Sequence, residues 1–144
     1  MGWEAWGTPD DFYGPDWRDD ATDAGWLDPD DLGKAALDVL AERTRQETEE
    51  GWTPEHDDGH DEGQLARAAA AYAYGATMQE RHRKFVSGIY SIANDRMLLD
   101  IWPHDWSRKW WKPADRRRDL VKAAALIVAE IERIDRAEKA EGAG

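Results

Sequence analysis

Two tryptophans and a lysine, Trp110, Trp111 and Lys112, stand shortly before a run of three arginines. Indole rings stack on planar groups, and such stacking contributes about 1–3 kcal/mol for each nucleobase. Lysine and arginine side chains bind phosphate through charge and hydrogen bonds. The combination favours a ligand with a planar ring and an anionic group, such as an adenine, nicotinamide or ribose-phosphate compound.

The three arginines, Arg116, Arg117 and Arg118, fall in the first turn of the last predicted helix. Exposed cations there oppose the helix dipole by about 0.3–1 kcal/mol each. An anion bound at that end would remove the conflict, because the free backbone N–H groups also attract it. We therefore predict that Arg116 and Arg117 contact a ligand. The alternative is that the arginines form ion pairs with nearby acids (Asp57, Asp58, Asp115 or Asp119).

A second polar cluster, GWTPEHDDGHDEGQ, occupies residues 51–64. Its carboxylates are suited to ribose hydroxyls or to capping the next helix, and its histidines can add hydrogen bonds. His-x-x-x-His occurs in zinc sites when both rings share one helix face, but Pro54 and Gly59 argue against such a helix, so no metal site is predicted. For any single tryptophan, packing in the core is the alternative. The predicted ligand-binding residues are Trp52, His56, Asp57, Asp58, His60, Tyr72, Trp110, Trp111, Lys112, Arg116 and Arg117.

One enzymatic alternative is a metal-dependent nucleotide pyrophosphohydrolase, a class that uses helical EExxE and ExxD motifs. Glu132 and Asp135 match ExxD, and Glu49 with Glu50 resembles the start of EExxE before Gly51 breaks the helix. The His56–His60 cluster is another candidate metal site for such an enzyme. No GxSxG, cysteine or glycine-rich phosphate loop is present. We expect no catalytic residue and no cofactor.

The elements that must position these clusters are predicted to be helices. The chain has 144 residues, of which 41% are hydrophobic and 35% charged, which fits one small domain. Three main helices are predicted, at about residues 30–50, 61–78 and 113–137, separated by aromatic loops at 51–64 and 101–113. Residues 80–101 allow a short strand, a helix or both. The predicted organisation is an acidic irregular arm at 1–31, a mainly α ligand-binding domain at 32–137 and a disordered tail at 138–144.

The apolar patterns of these helices indicate their packing. The second has a face of small residues, which predicts close packing and a central position. The face of the first contains Leu32, Ala35, Ala36, Val39, Leu40 and Arg43, and the stripe of the last contains Leu120, Ala124, Ile127, Val128, Ile131 and Ile134.

Charge is unevenly distributed along the chain. Residues 1–31 contain ten acids and one arginine, and so carry −9 of the net −12. This composition disfavours nucleic-acid binding, while an acidic arm acting as a DNA mimic or covering a basic partner protein is a further alternative. No long apolar run, basic N-terminal leader or cysteine is present, so a cytosolic protein without membrane contact is expected. Dimerisation would help a chain of this size to bury its apolar surface.

The body of the chain resembles a group of small phage and prophage proteins. The shared features are GWTPEHDD at 51–58, a histidine at 60, LARAAAAYA at 65–73, a tryptophan- and proline-rich loop at 102–111, and a helix that follows WWKP and extends to 135. More distantly, Gly51, Trp52, Thr53, Asp57 and Asp58 are similar in place to residues of ryanodine-receptor repeat domains, as are Asp115, Arg116 and Leu120. The tyrosine-glycine that follows Gly-Trp-Thr in those domains and their proline-rich middle are missing here.

These resemblances imply a ligand class. Bacterial and phage relatives of the ryanodine-receptor repeat are thought to bind nucleotide-derived ligands. Phages also encode small oligomeric proteins that sequester host immune signals, such as cyclic ADP-ribose forms and cyclic dinucleotides. The resemblance therefore implies a non-enzymatic protein, acting as a homo-oligomer in the host cytosol, that holds such a molecule.

Overall fold

The structure is a computed structural model that describes residues 32–143. Its contacts divide the chain into residues 1–37 and 38–144. Of the first unit, only residues 32–37 are described, and the acidic arm predicted at 1–31 lies outside the described residues. In residues 32–37 the chain enters its first helix, where the Leu37 backbone N–H donates to the Gly33 carbonyl at 3.1 Å.

Residues 32–143 form helices joined by short connections, and no strand occurs among them. This confirms the predicted mainly α fold with three long helices. No helix in this range is both long and apolar enough to cross a membrane. The α-helices are α1 (Lys34–Thr48), α2 (Pro54–Asp58), α3 (Gln64–Ala76), α4 (Glu80–Phe85), α5 (Arg96–Ile101) and α6 (Arg116–Ala143), with 3-10 turns at Ser91–Asn94 and Arg108–Trp110.

The core is built on the contact between α3 and α6. Alanines on both helices are almost fully buried, which lets the two backbones approach closely. Large side chains from the following segments close the sides of this pair. The buried alanines are Ala68, Ala69, Ala71, Ala76, Ala123, Ala125 and Ala129, and the large side chains are Ile92, Leu98, Trp102, Trp106 and Trp111. The central position predicted for α3 is confirmed.

The apolar stripe predicted on the last helix does not face this core. Leu120, Ile127, Ile131 and Ile134 are between 41% and 52% exposed. The alanines of α3 instead accept the narrow alanine face of α6, because small residues on both sides allow the closer contact.

Helix α1 also departs from its predicted pattern. Its buried residues are Glu42, Arg43 and Gln46, whereas Leu40 is exposed. Arg43 donates to the fully buried Asp57 carboxylate at 2.7 Å, and Glu42 accepts from Arg118 of α6. Ion pairs, rather than an apolar face, therefore fix the C-terminal half of α1.

Helix α2 lies where the sequence analysis predicts a loop. The Thr53 hydroxyl accepts from the His56 backbone N–H at 3.3 Å, and Pro54 occupies the first helical position. Both are favourable helix-start features, and Gly59 ends the helix after five residues.

Helix α6 begins at Arg116, three residues later than predicted, because Asp115 accepts from the Arg118 backbone N–H at 2.8 Å and so caps it. It continues to Ala143, past the predicted end at residue 137. Residues 80–101, left open by the sequence analysis, form α4, a 3-10 turn and α5.

Candidate functional site

A cleft of about 630 Å³ lies beside the C-terminal half of α1. The helix α1 forms one side, the loop before α2 and the Arg108–Trp110 turn provide aromatic rings, and α3 and α6 form the floor. We call this space the aromatic cleft. Five of the predicted ligand-binding residues line it, namely Trp52, His56, Tyr72, Trp110 and Lys112.

The rings of the aromatic cleft pack in a defined order. Trp52 and His56 lie parallel, with ring centres 5.8 Å apart and planes 1° apart. Trp106 lies 5.9 Å from Trp52 and 5.5 Å from Trp110, tilted against both. Trp110 remains 44% exposed. One ring at the cleft thus has a large apolar surface open to a planar partner.

The two adjacent tryptophans have different positions. Trp111 is 3% exposed, its indole N–H donates to the Val86 carbonyl at 2.7 Å, and its ring packs against α3. Trp110 precedes it at the end of a 3-10 turn and lines the cleft. The Tyr72 hydroxyl accepts from the Lys112 backbone N–H at 3.1 Å and holds this segment in place. The sequence analysis did not distinguish Trp110 from Trp111.

Cationic groups border the ring cluster. Lys122 of α6 donates to the Lys112 carbonyl at 2.6 Å and lies over the Tyr72 ring, 5.4 Å from its centre. Burial lowers the pKa of Lys122, because a desolvated ammonium loses hydration. A ligand anion beside it would restore favourable electrostatic interaction. Arg45, also lining the cleft, donates to Glu50 at 3.0 Å.

Acidic groups line the α1 side of the cleft. Burial alone would raise the pKa of Glu42, but hydrogen bonds from Arg45 and Arg118 more than offset it and hold the pKa below its ordinary value. Glu49 and Glu50 lie at the end of α1, beside the Arg45 guanidinium. Both are exposed and line the cleft, so their carboxylates can accept hydrogen bonds from ligand hydroxyls.

Two residues that line the cleft each have a buried polar atom without a hydrogen-bond partner among residues 32–143. Gln46 is 2% exposed and Trp106 is 6% exposed. The Gln46 Oε1 accepts no hydrogen bond, and the Trp106 indole N–H donates none. Leaving a buried polar group unpaired costs about 1–3 kcal/mol, so each of these atoms destabilises the protein, as does the unpaired indole N–H of Trp102, which lies outside the cleft.

His56 and His60 form a chain of side-chain contacts with Asp57 beside the cleft. His56 Nδ1 lies 3.1 Å from the Asp57 carboxylate, and His56 Nε2 lies 3.3 Å from His60 Nε2. Burial, and then the proximity of His56, lower the pKa of His60. His60 packs edge-on against Trp106. Of this group only His56 lines the cleft.

Five predicted ligand-binding residues, besides His60, lie outside the aromatic cleft. Asp57 is fully buried and bonded to Arg43, and Trp111 belongs to the core. Asp58 pairs with Arg136, at 2.8 Å. Arg117 pairs with Asp38 at 2.8 Å, and Arg116 lies 3.6 Å from the Glu80 carboxylate and donates to the Met78 carbonyl at 2.9 Å. The α6 arginines thus have the ion-pair partners that were the alternative explanation, although with different acids from those named.

The sequence analysis missed several residues of the cleft. Arg45 and Gln46 lie on α1, and Lys122 interrupts an apolar helix between Val121 and Ala123. A lysine within the otherwise apolar run 120–129 of α6 was the available signal, because a charge in such a position is costly unless it is paired.

The hydrolase alternative requires a group of side chains that could bind a metal ion, and the described residues do not provide one. Glu132 of the ExxD match pairs with Arg43. Nowhere in residues 32–143 do three or more histidine or acidic side chains come together in a way that could hold a metal ion.

Comparisons with protein-family models, with curated proteins and with solved structures gave no match. The residues of the aromatic cleft are therefore the available indication of what this protein binds.

Proposed function

We propose that this protein binds a small nucleotide-derived ligand in the aromatic cleft and releases it unchanged. The observation that carries the proposal is the pair of unbonded buried polar atoms, on Gln46 and Trp106, beside an exposed stacking surface and a desolvated lysine. A nucleotide supplies the matching groups together, namely a planar ring with donors and acceptors on its edge and an anion attached to it.

In this arrangement the base stacks on Trp110, and its edge bonds to Gln46 and Trp106. Each stacked base is expected to contribute about 1–3 kcal/mol. The phosphates lie against Lys112, Lys122 and Arg45. Lys112 was already a phosphate partner in the sequence-based hypothesis, whereas Lys122 and Arg45 replace Arg116 and Arg117.

The ribose is assigned to the acidic side of the cleft. Glu49 and Glu50 are exposed carboxylates that line it, and a carboxylate accepts from vicinal hydroxyls. They take the role that the sequence-based hypothesis gave to Asp57 and Asp58. Together with the resemblance to phage proteins, this favours a host immune signal such as a cyclic ADP-ribose form or a cyclic dinucleotide, held in the host cytosol by a homo-oligomer.

The test is a thermal-shift and calorimetry panel with ADP-ribose, its cyclic forms, cyclic dinucleotides, NAD and dNTPs, with magnesium and with chelator. A ligand at 100 times its dissociation constant should add about 2.7 kcal/mol of stability. The expected result is a metal-independent shift, with the intact ligand recovered after denaturation. Turnover that stops with chelator would instead establish the hydrolase.

Three substitutions locate the site. Trp110→Ala should weaken binding at least about 10-fold through lost stacking, while Phe85→Ala, which removes an exposed ring outside the cleft, should not. Lys122→Met should weaken anionic ligands, with Lys139→Met as the control.

The third substitution, Gln46→Leu, separates binding from folding. It removes the unbonded oxygen, so the apo protein should be as stable as the wild type or more stable, yet bind the nucleotide more weakly. If Gln46→Leu destabilised the apo protein and left the affinity unchanged, the ligand geometry proposed here would be wrong.

A further inference from the structure

Helix α6 presents a row of aliphatic side chains away from the core. Leu120, Ile127, Ile131 and Ile134 are 48%, 48%, 52% and 41% exposed, and Ala124 lies between the first two at partial exposure. Single exposed apolar residues are ordinary on protein surfaces, whereas a contiguous row indicates an interaction surface. We call these five residues the α6 stripe.

The spacing of the α6 stripe is that of a coiled-coil seam. Successive members are separated by four, three, four and three residues, which is the alternation of a seven-residue repeat. The stripe runs for about 21 Å along the helix. The side chains that pack on α3, such as Leu126 and Ala129, belong to a different face. One helix thus carries a core face and a second face suited to another helix.

The charges at the two ends of the stripe are opposite. Arg116 and Arg117 lie at its N-terminal end, and Asp135 and Glu138 lie at its C-terminal end, all four exposed. Arg117 pairs with Asp38 and Arg116 with Glu80, but the two arginines keep 53% and 51% of their side chains exposed. Two antiparallel copies would bring each basic end against an acidic end, while parallel copies would oppose like charges.

Side-chain size supports the same orientation. Antiparallel pairing about the middle of the stripe brings Ala124 of each copy into the neighbourhood of Ile131 of the other. A small residue facing a large one lets two helices interdigitate. A two-fold interface needs such self-complementarity. When a residue of one copy contacts a given residue of the other, the symmetry repeats that contact with the two copies exchanged.

We infer that two copies of this chain form an antiparallel dimer through the α6 stripe. The other available occupant is the segment 1–31, which has six aromatic residues but no seven-residue repeat and no helical periodicity. The second copy matches both the repeat and the charge gradient. The aromatic cleft takes no residue from the stripe, so dimerisation and ligand binding are independent.

Sedimentation equilibrium of the full chain tests the dimer. We expect twice the monomer mass, and Ile131→Asp should raise the dissociation constant at least ~100-fold, because a charge enters the seam in both copies. Ile89→Asp, the same change at a residue that is 78% exposed outside the stripe, should leave it unaltered. Unchanged helical circular dichroism shows that Ile131→Asp still folds.

Cross-linking through introduced cysteines tests the orientation. Because the chain has no cysteine of its own, only the introduced thiols can react. Leu120→Cys and Ile134→Cys proteins, mixed and treated with a short bismaleimide, should give the mixed dimer as the main product. A chain that is monomeric at every concentration overturns the proposal and leaves 1–31 as the occupant. The proposal is also overturned if the dimer dissociation constant of Ile131→Asp equals that of the wild type. It is likewise overturned if cross-linking joins only two Leu120→Cys chains or two Ile134→Cys chains.

Discussion

A single buried arginine, Arg83, holds several elements of this small core together through hydrogen bonds and an ion pair. Arg83 is 4% exposed and donates to the Gly75 and Ala114 carbonyls and to Asp119, each at 2.7 Å. Asp119 in turn accepts from the Ala114 backbone N–H. One guanidinium therefore joins the end of α3, the segment before α6 and the start of α6. Sequence patterns place Arg83 in a basic cluster and give no sign of this burial.

Removing one partner of a buried pair should be far more costly than removing a surface partner. Asp119→Ala should lower the free energy of unfolding by about 3–5 kcal/mol, because Arg83 would remain buried without its counter-charge. Asp58→Ala, which breaks the exposed pair with Arg136, should cost under about 1 kcal/mol. Urea unfolding of both variants measures the difference, and equal losses would contradict the assignment of Arg83 as the central contact.

His60 should make stability depend on pH. Burial and His56 lower its pKa below the usual 6.5, so the unfolded chain binds more protons between the lowered value and 6.5. Stability is then complete above pH 6.5 and falls as the pH drops through that window. His60→Gln should flatten this part of the urea-midpoint profile, whereas the exposed His104→Gln should not. A profile that keeps its slope in His60→Gln would assign the effect to another group.

Among the elements, the long helices were predictable and the short ones were not. The regular apolar patterns of α3 and α6 allowed both helices to be predicted, because each helix has enough turns for the period of 3.6 residues to be recognised. Helix α2 has five residues, so only its Thr53–Pro54 start could have revealed it. The direction in which α6 faces was not predictable, because its alanine face and its isoleucine face are both apolar. The choice depends on the small residues of α3.

The close contact at α3 has a testable consequence. A Cβ at Gly75 would lie 3.2 Å from Cη2 of Trp111, whose indole is fixed by its bond to Val86. Gly75→Ala should therefore destabilise the protein by about 1–3 kcal/mol, although alanine is the better helix former. Gly142→Ala in α6, where a Cβ meets nothing within 4 Å, should not destabilise it. Thermal melts compare the two, and a more stable Gly75→Ala would show that Trp111 can shift.

At the scale of the whole molecule, acidity and binding chemistry are separate along the sequence. Residues 1–31 carry −9 of the net −12, and the aromatic cleft is formed by residues 42–126. The distribution of charge along the sequence was sufficient to predict this separation, and the apolar periodicity was sufficient to predict the helical class. The make-up of the cleft was only half predictable, because Gln46 and Lys122 come from helices whose relative placement no local pattern specifies.

This separation predicts that the acidic segment is dispensable for ligand affinity. Replacing Asp10, Asp11, Asp19 and Asp20 with asparagine should leave the calorimetric dissociation constant within about two-fold, since the described residues that line the cleft all lie between 42 and 126. Trp110→Ala provides the comparison that should weaken binding. A large loss of affinity in the asparagine variant would mean that residues 1–31 take part in the site.

The packing of the tryptophans also gives the molecule an optical signature. The ring centre of Trp102 lies 5.7 Å from those of Trp106 and Trp111, with planes at 80° and 77°. Indole transitions that are this close and fixed in angle couple, so these three core rings contribute strongly to the near-ultraviolet dichroism. The backbone dichroism comes largely from helices, including the exposed end of α6. The two spectral regions therefore weight the core and the helices differently, and coincident changes on heating would indicate that the end of α6 unfolds together with the core.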